Sequence, residues 1–304
     1  MMLKVIDASG FISFQDLGRR GYQSFGVPVS GAMDWFAYQS ANYLVGNSED
    51  STVIEIGLGE ITFQAKQDCV LAVTGAGYEV QNYIWTFPLW TSFYVRAGWH
   101  VQIKKTSGGN WAYLAIAGGF DVPQVLGSSS TYIRGGLGNA IQAGDVLQSG
   151  KPSTELTKLA TRDFPVQKHI QYSQTPMIEV ISGPQRDRFD NTFFENEYTL
   201  SKSFDRMGYR LEGKAIESSD KTELISEGMT MGSIQITNQG QPIVMMADSP
   251  TTGGYPKIAN VIKADLPLLA QCESGNSKIR FREVDVEEAQ EKYRMMMKGI
   301  GNGK

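Results

Sequence analysis

The sequence predicts a mainly β protein, and three observations lead there. Glycine supplies 33 of 304 residues, well above a usual share of about 7%, and tight turns are its commonest use. Most apolar runs are short and rich in β-branched or aromatic residues. Only two segments carry a helical period.

The runs Val70–Val73, Tyr113–Ile116, Ile178–Ile181, Ile243–Met246 and Ile279–Phe281 are each bounded by Gly, Asn, Asp, Ser or Pro. That is the pattern of strands separated by turns. The first helical segment spans 34–45. Asp34 can cap it, and Phe36, Ala37, Ser40, Ala41 and Leu44 recur at helical spacing. The second spans Val286 to Lys298, with Asp285 as cap and Glu288 three residues on. Its Ala289, Tyr293 and Met296 stripe is expected to pack on the body, and the tail from Gly299 to fray. Met229, Met231, Met245 and Met246 read as strand core.

The stretch 151–174 is polar, contains Pro152 and Pro165, and has little pattern, so it reads as a linker. Three words recur on its two sides in the same order. Arg19-Arg20-Gly21-Tyr22 resembles Arg206-Met207-Gly208-Tyr209, Leu58-Gly59-Glu60-Ile61 resembles Met231-Gly232-Ser233-Ile234, and Gly118-Gly119-Phe120 resembles Gly253-Gly254-Tyr255. The words lie closer together in the second copy, and the helix at 34–45 falls in the part that is shortened. A duplication follows. The expected division is residues 1–165, 166–285, and a C-terminal helix and tail at 286–304. A site between two similar β domains is then natural.

Several function classes are excluded. With 28 Lys+Arg against 32 Asp+Glu the formal charge is −4, a poor basis for nucleic-acid binding. Cys69 and Cys272 are too few and too far apart for a disulfide scaffold, and no metal-ligand spacing is present. The N-terminus has no signal-peptide pattern and no window reads as a membrane span, so a cytoplasmic protein with reduced thiols is expected. Gly208–Ala215 approaches a phosphate-binding loop, but Ala215 stands where Ser or Thr binds magnesium. His100 and His169 read as ordinary histidines. Acid–base work falls to Asp, Glu, Lys or Tyr.

Three polar words remain. The first, from Gln15 to Gly21 and Pro28 to Asp34, presents Asp16, Arg19 and Ser30, with Asp34 a helix cap. The second runs from Gly118-Gly119-Phe120 to Gly127-Ser128-Ser129-Ser130-Thr131, where adjacent glycines let backbone N–H groups approach an anion or a planar ligand. The third is Thr251-Thr252-Gly253-Gly254-Tyr255-Pro256-Lys257, with Asp265 and Gln271 beyond it. It gathers a phenol, an ammonium, a carboxylate and an amide, a set able to hold a small amide and move a proton. Gln235 and Gln239 flank Gly-rich turns and can orient an amide.

Taken together, QDLGRRGYQ at 15–23, SGAMD at 30–34, AGGFDVPQVLGSSST at 117–131, DRMGYRLEG at 205–213, SEGMTMGSIQ at 226–235 and TTGGYPKIANVIKADLPLLAQ at 251–271 resemble the allophanate hydrolase subunit 2, or KipA-like, family. That family includes the C subunit of bacterial 5-oxoprolinase and the carboxyltransferase domain of urea carboxylase. The resemblance implies two tandem cyclophilin-like β-barrel domains. It implies partners as well: a KipI-like subunit of the allophanate hydrolase subunit 1 type and a LamB/YcsF-like subunit. The implied activity is ATP-dependent opening of the 5-oxoproline lactam to glutamate, with ATP sited partly or wholly on a partner. On this resemblance Lys257, Asp265, Tyr255 and Gln271 are expected to orient substrate and handle protons, helped by Gln235. Asp16, Arg19 and Ser30 are expected to form an opposing wall, with Asp16 catalytic.

One departure stands out. Relatives carry a Gly-Gly-x-x-Gly-Arg stretch before an Ala-Gly-Asp turn, whereas this chain reads from Gly135 to Asp145 without the arginine. Two other roles fit the same resemblance. One is carboxyl transfer from carboxybiotin to urea or another amide. This chain has no biotinyl site, so the biotin would sit elsewhere. The other is a regulatory protein that sequesters a KipI-like partner without turnover.

Overall fold

The computed structural model describes residues 2–220 and 222–301. The chain divides into two compact β units. Unit 1 takes the chain up to Arg19, Ser30–Ile170 and the residues from Ile300 on, and unit 2 takes Arg20–Val29 and Gln171–Gly299. The break thus falls after Ile170 rather than after residue 165, and a ten-residue loop of the N-terminal half belongs to unit 2. The expected linker is largely part of unit 1. A short helix, Leu156–Leu159, lies within it, and Thr161 N–H donates to Ser92 O at 2.8 Å. Phe164 is buried against Trp90, ring centres 5.6 Å apart. Leu159 and Phe164 are sparse in a polar text, yet each has apolar surface to bury, and that suffices to dock the segment.

Unit 1 has nine strands: β1 (Met2–Gln15), β2 (Val53–Ala65), β3 (Cys69–Gly75), β4 (Tyr78–Gln81), β5 (Thr86–Phe87), β6 (Ser92–Val95), β7 (His100–Lys105), β8 (Trp111–Ile116) and β9 (Val146–Gln148). Their order is β5-β4-β7-β2-β8-β3-β6, with β1 pairing β2 and β9. Ile54, Ile56, Leu71, Val73, Leu114 and Ile116 fill its core. The helix α1 (Trp35–Leu44) is almost wholly buried, and Asp34 caps it by accepting the Ala37 N–H at 2.9 Å.

The strand β2 serves two neighbours. Ile54–Gly57 pair with β8, and Ile61–Gln64 pair with β7. The hand-over is the word Leu58-Gly59-Glu60, where Leu58 takes φ 54° and β1 shifts register between Ser9 and Phe11. A Cβ on Gly59 would sit 1.9 Å from Ser9 O, so only glycine lets the two backbones cross.

Unit 2 is a closed barrel in the order β10-β17-β14-β15-β12-β11-β18. These strands are β10 (Met177–Ser182), β11 (Tyr198–Phe204), β12 (Gly208–Glu212), β14 (Ser233–Ile236), β15 (Pro242–Met245), β17 (Lys257–Val261) and β18 (Lys278–Glu283). A two-stranded ribbon, β13 (Glu227–Gly228) with β16 (Thr252–Gly253), stands apart from it. Ile178, Val180, Tyr209, Ile234, Val244, Ile279 and Phe281 are buried within the unit, and Met229 and Met245 pack with Ile243. Its helices are α3 (Thr192–Glu195), α4 (Leu266–Ala270) and α5 (Val286–Gly301), with Leu156–Leu159 of unit 1 counted as α2.

Asp285 accepts the Glu288 N–H at 2.8 Å at the start of α5, and Ala289, Tyr293 and Met296 pack on Ile262, Ala264 and Val284. The expected fraying at Gly299 is corrected: α5 continues to Gly301, and residues 302–304 lie outside the described residues. The repeated words occupy unlike places. Leu58–Ile61 lies inside β2, whereas Met231–Ile234 leads into β14. Among the described residues no helix is long and apolar enough to cross a membrane.

The crossing at Gly59 generates a stability test. Gly59→Ala is expected to cost about 2–3 kcal/mol, because backbone cannot yield as a side chain does. Gly98→Ala, at φ 87° in open space, is expected to cost only about 1 kcal/mol of left-handed strain. Urea denaturation midpoints of the two variants check the difference.

Candidate functional site

The polar words fold into one cluster in each unit. In unit 2, Lys257 opens β17 and its ammonium meets Glu227 Oε2 at 2.9 Å and Gly228 O at 3.1 Å. Gln185 completes the arrangement. Its side-chain oxygen accepts the Lys257 backbone N–H at 3.0 Å, and its amide donates to Glu227 Oε1 at 3.1 Å. The Lys257 ammonium, the largest influence on Glu227, holds that carboxyl below its ordinary range, and the Gln185 amide adds to the effect against slight burial.

Both acceptors of the ammonium thus lie on β13, and Glu227 is paired opposite Gly253 of β16. Gln235 donates to Tyr255 O at 3.0 Å and so fixes the turn from Gly254 to Pro256. Gly253 leaves room for that amide, because a Cβ there would lie 2.6 Å from the Gln235 nitrogen. Tyr255 itself is 40% exposed. It forms, with Gly254, Pro256, Arg188, Ser218 and the Thr237–Gly240 turn, part of the wall of a cleft of about 1000 Å³. Lys257 does not line this cleft. Arg188 is held at the cleft by Asp220 at 3.2 Å and by Thr222 O at 3.0 Å.

Asp265 and Gln271 are not brought to Lys257. Asp265 follows the far end of β17, fully buried at the start of α4. Its Oδ1 meets the Lys292 ammonium of α5 at 2.7 Å and its Oδ2 accepts the Glu179 N–H at 2.8 Å. Burial, the largest influence, pushes this carboxyl up, although Lys292 pulls against it. With both oxygens engaged and no exposure, Asp265 ties α5 to the barrel. Gln271 is buried at the end of α4.

In unit 1 the Asp16 carboxylate is enclosed by the serine run. Oδ1 accepts from the Ser128 and Ser130 hydroxyls at 2.6 Å each and from Gly18 N–H at 2.7 Å. Oδ2 accepts the Ser129 N–H at 2.7 Å and its hydroxyl at 3.0 Å. Burial is the largest influence and raises its pKa. The hydroxyls of Ser128 and Ser130, with the Ser129 and Gly18 N–H groups, outweigh that and hold it below the ordinary value. The anion at this word is the chain's own, and the serines hold it rather than the adjacent glycines. The glycines before it are committed elsewhere: Gly118 N–H donates to Asn47 Oδ1 at 2.9 Å.

Arg19 is buried and donates to Ser130 O. It forms, with Phe14, Ser128–Thr131 and Leu137–Ile141, part of the lining of a cavity of about 330 Å³. Ser30 adopts φ 58°. Its hydroxyl is buried and has no hydrogen-bond partner among the described residues. The next residue, Gly31, packs on the Asp16–Gly18 turn. A second buried carboxylate holds the following stretch: Glu55 Oε2 accepts from Met33 N–H at 2.8 Å and Tyr113 Oη at 2.9 Å, and Tyr113 Oη accepts the Asp34 N–H at 2.7 Å.

Sequence reasoning missed Gln185, Glu227, Arg188 and the Glu55–Tyr113 pair. Glu227 sits within a quoted word and was within reach. Gln185 lies 72 residues from Lys257, with no local pattern to join them.

The carboxyltransferase domain, subdomain A and B, matches residues 25–283 of this chain. The 5-oxoprolinase C subunit of Haemophilus influenzae is 40% identical over 293 residues, covering 95% of this chain and 93% of that protein. Its Escherichia coli namesake is 38% identical over 302 residues, with the same coverage. Among solved structures, the K. lactis urea amidolyase superposes with a TM-score of 0.92 at 26% identity, covering 100% of this chain and 20% of that one. The structure of TTHA0988 gives 0.83 at 29% identity, covering 92% of this chain and 55% of that one. This chain thus spans about half of one solved relative and a fifth of the other.

The enclosed carboxylate yields a pH prediction. Asp16→Asn is expected to cost about 3 kcal/mol at neutral pH, since several donors lose an anionic acceptor. Folding lowers the pKa of Asp16 from 3.8. Its contribution is therefore complete above the unfolded value and is lost as pH falls through the folded one. The gap in urea midpoint between wild type and Asp16→Asn should be widest near neutrality and close as pH falls below 3.8.

Proposed function

The chain belongs to the family of the carboxyltransferase domain, subdomain A and B, and we propose that it serves as the C subunit of a 5-oxoprolinase. The observation that carries this reading is the near-complete mutual coverage, 95% and 93%, with a protein of that name at 40% identity. The assembly would include a KipI-like and a LamB/YcsF-like subunit, would act in the cytoplasm, and would open the 5-oxoproline lactam to glutamate with ATP.

A five-membered lactam is an unreactive amide. Its nitrogen lone pair is delocalised into the carbonyl, so attack by water needs a prior activation that ATP can supply. The residues here do not fit a nucleotide cradle. The near-match at 208–215 is largely strand β12, with Gly208–Arg210 laddered to β15, so its N–H groups are not gathered around a phosphate. We therefore assign the nucleotide to a partner chain and no nucleotide step to this one.

What this chain offers is orientation. The Lys257 ammonium has three protons, of which Glu227 and Gly228 O take two among the described residues, and the third would serve a substrate carboxylate or carbonyl. Glu227 keeps that ammonium charged and in place. The Tyr255 phenol can donate to a lactam oxygen or steady the departing nitrogen, and Gln235 acts on it by holding the Tyr255 carbonyl. Arg19 and Ser30 are assigned as substrate contacts in unit 1, with the enclosed Asp16 positioning the loop that carries Arg19. Asp265 and Gln271 are assigned to support of unit 2.

The test is ATP-dependent glutamate release from 5-oxoproline by the purified subunits. Lys257→Ala is expected to lower kcat/KM by about 10- to 100-fold, the worth of one charge-assisted hydrogen bond. Tyr255→Phe is expected to lower it less, by about 5-fold. Asp265→Asn should lower the melting temperature and leave kcat unchanged. Full turnover by Lys257→Ala would remove that residue from the site. Tight binding of the KipI-like subunit with no glutamate release from the complete wild-type assembly would replace the enzymatic reading by a regulatory one.

A further inference from the structure

The hairpin between β4 and β5 turns its apolar side chains outward. Tyr83, Ile84 and Trp85 are 88%, 74% and 48% exposed. The hairpin is nevertheless built firmly. Asn82 N–H donates to Trp85 O at 2.9 Å, and the Asn82 side-chain oxygen accepts the N–H groups of Ile84 and Trp85 at 2.8 and 2.7 Å. This Asx turn fixes the tip before any partner arrives, which spares the ordering cost of association.

The apolar strip continues from the tip. Ring centres of Trp85 and Trp99 are 5.2 Å apart, and those of Tyr83 and His100 are 5.8 Å apart. Its border is cationic. Arg96 lies over the Trp99 ring at 6.0 Å. Lys66 contacts the side chain of Gln64, which reaches Gly98 O. Neither cation enters an ion pair among the described residues. Asp68, the acid nearby, spends its oxygens on the Tyr94 hydroxyl and the Ala97 N–H at 2.7 and 2.8 Å.

We propose that this strip docks a different protein subunit, one that presents an apolar socket rimmed by carboxylates. The proposal rests on the reading of the chain as one subunit of a larger hydrolase. Tyr, Trp and Arg are the residues that dominate binding energy in protein interfaces, and an apolar centre with a charged rim is their usual layout. A second copy of this chain fits poorly. A two-fold contact sets the patch against itself, which would bring Arg96 and Lys66 of both copies together with Asp68 already engaged.

The test mixes the full chain with the purified KipI-like subunit and reads Kd by titration calorimetry. Trp85→Ser and Ile84→Ser are expected to weaken binding by about 30-fold each, as hot-spot truncations do, with melting temperatures unchanged. Arg96→Glu is expected to slow association by about 10-fold and to flatten its salt dependence. At saturating partner, the Ile84→Ser assembly should release glutamate at the wild-type rate. An unchanged Kd in all three variants, while the wild-type assembly still releases glutamate, overturns the proposal and leaves the enzymatic reading intact. Variants that instead lose self-association, or binding to phosphatidylserine vesicles, with Kd for the KipI-like protein unchanged, overturn it equally. A wild-type complex that forms without glutamate release sinks the enzymatic reading, and the variants' Kd values still decide the strip.

Discussion

The organisation of unit 1 depends on one buried anion. Asp16 ends the first strand with a carboxylate that accepts five hydrogen bonds, three of them from the hydroxyls of Ser128, Ser129 and Ser130. An ionised group removed from water is tolerated only when its lone pairs are satisfied. The serine run meets that demand from more than 110 residues away. Two loops with no regular structure of their own are thereby held together. Arg19, Ser30 and the Gly31 contact inherit their places from that closure.

Unit 2 applies the same principle to the opposite charge. Lys257 is steadied by the Glu227 carboxylate and the Gly228 carbonyl of β13 and by the Gln185 side chain from a second segment. Glu227 holds the ammonium on one side. Asp265, a charged residue in the same word as Lys257, does something else. It is surrounded on both oxygens and faces α5, so its charge is consumed by architecture. The two residues stand at opposite ends of one strand, and that separation decides their roles.

Much of this was legible beforehand. The short β-branched runs became strands, and Asp34 and Asp285 cap helices where the sequence placed them. The words containing Asp16 and Ser128–Ser130 fold into one polar cluster, whereas Lys257 opens strand β17. The glycine of Leu58-Gly59-Glu60 stood out as one half of a repeat, yet its physical reason is the crossing of two backbones in β2. The stretch after residue 151 read as a linker because its composition is polar. Two apolar residues in it were enough to fold it onto unit 1.

By itself the sequence determined the class, the capped helices and the family likeness. These follow from local periodicity, turn chemistry and words that keep their order. Tertiary structure alone decided which charges are enclosed and by which partners. Those outcomes depend on pairings such as Asp16 with Ser128 and Lys257 with Gln185, across 112 and 72 residues. A carboxylate's neighbours set its hydration and its pKa, and no local spacing records neighbours so far along the chain.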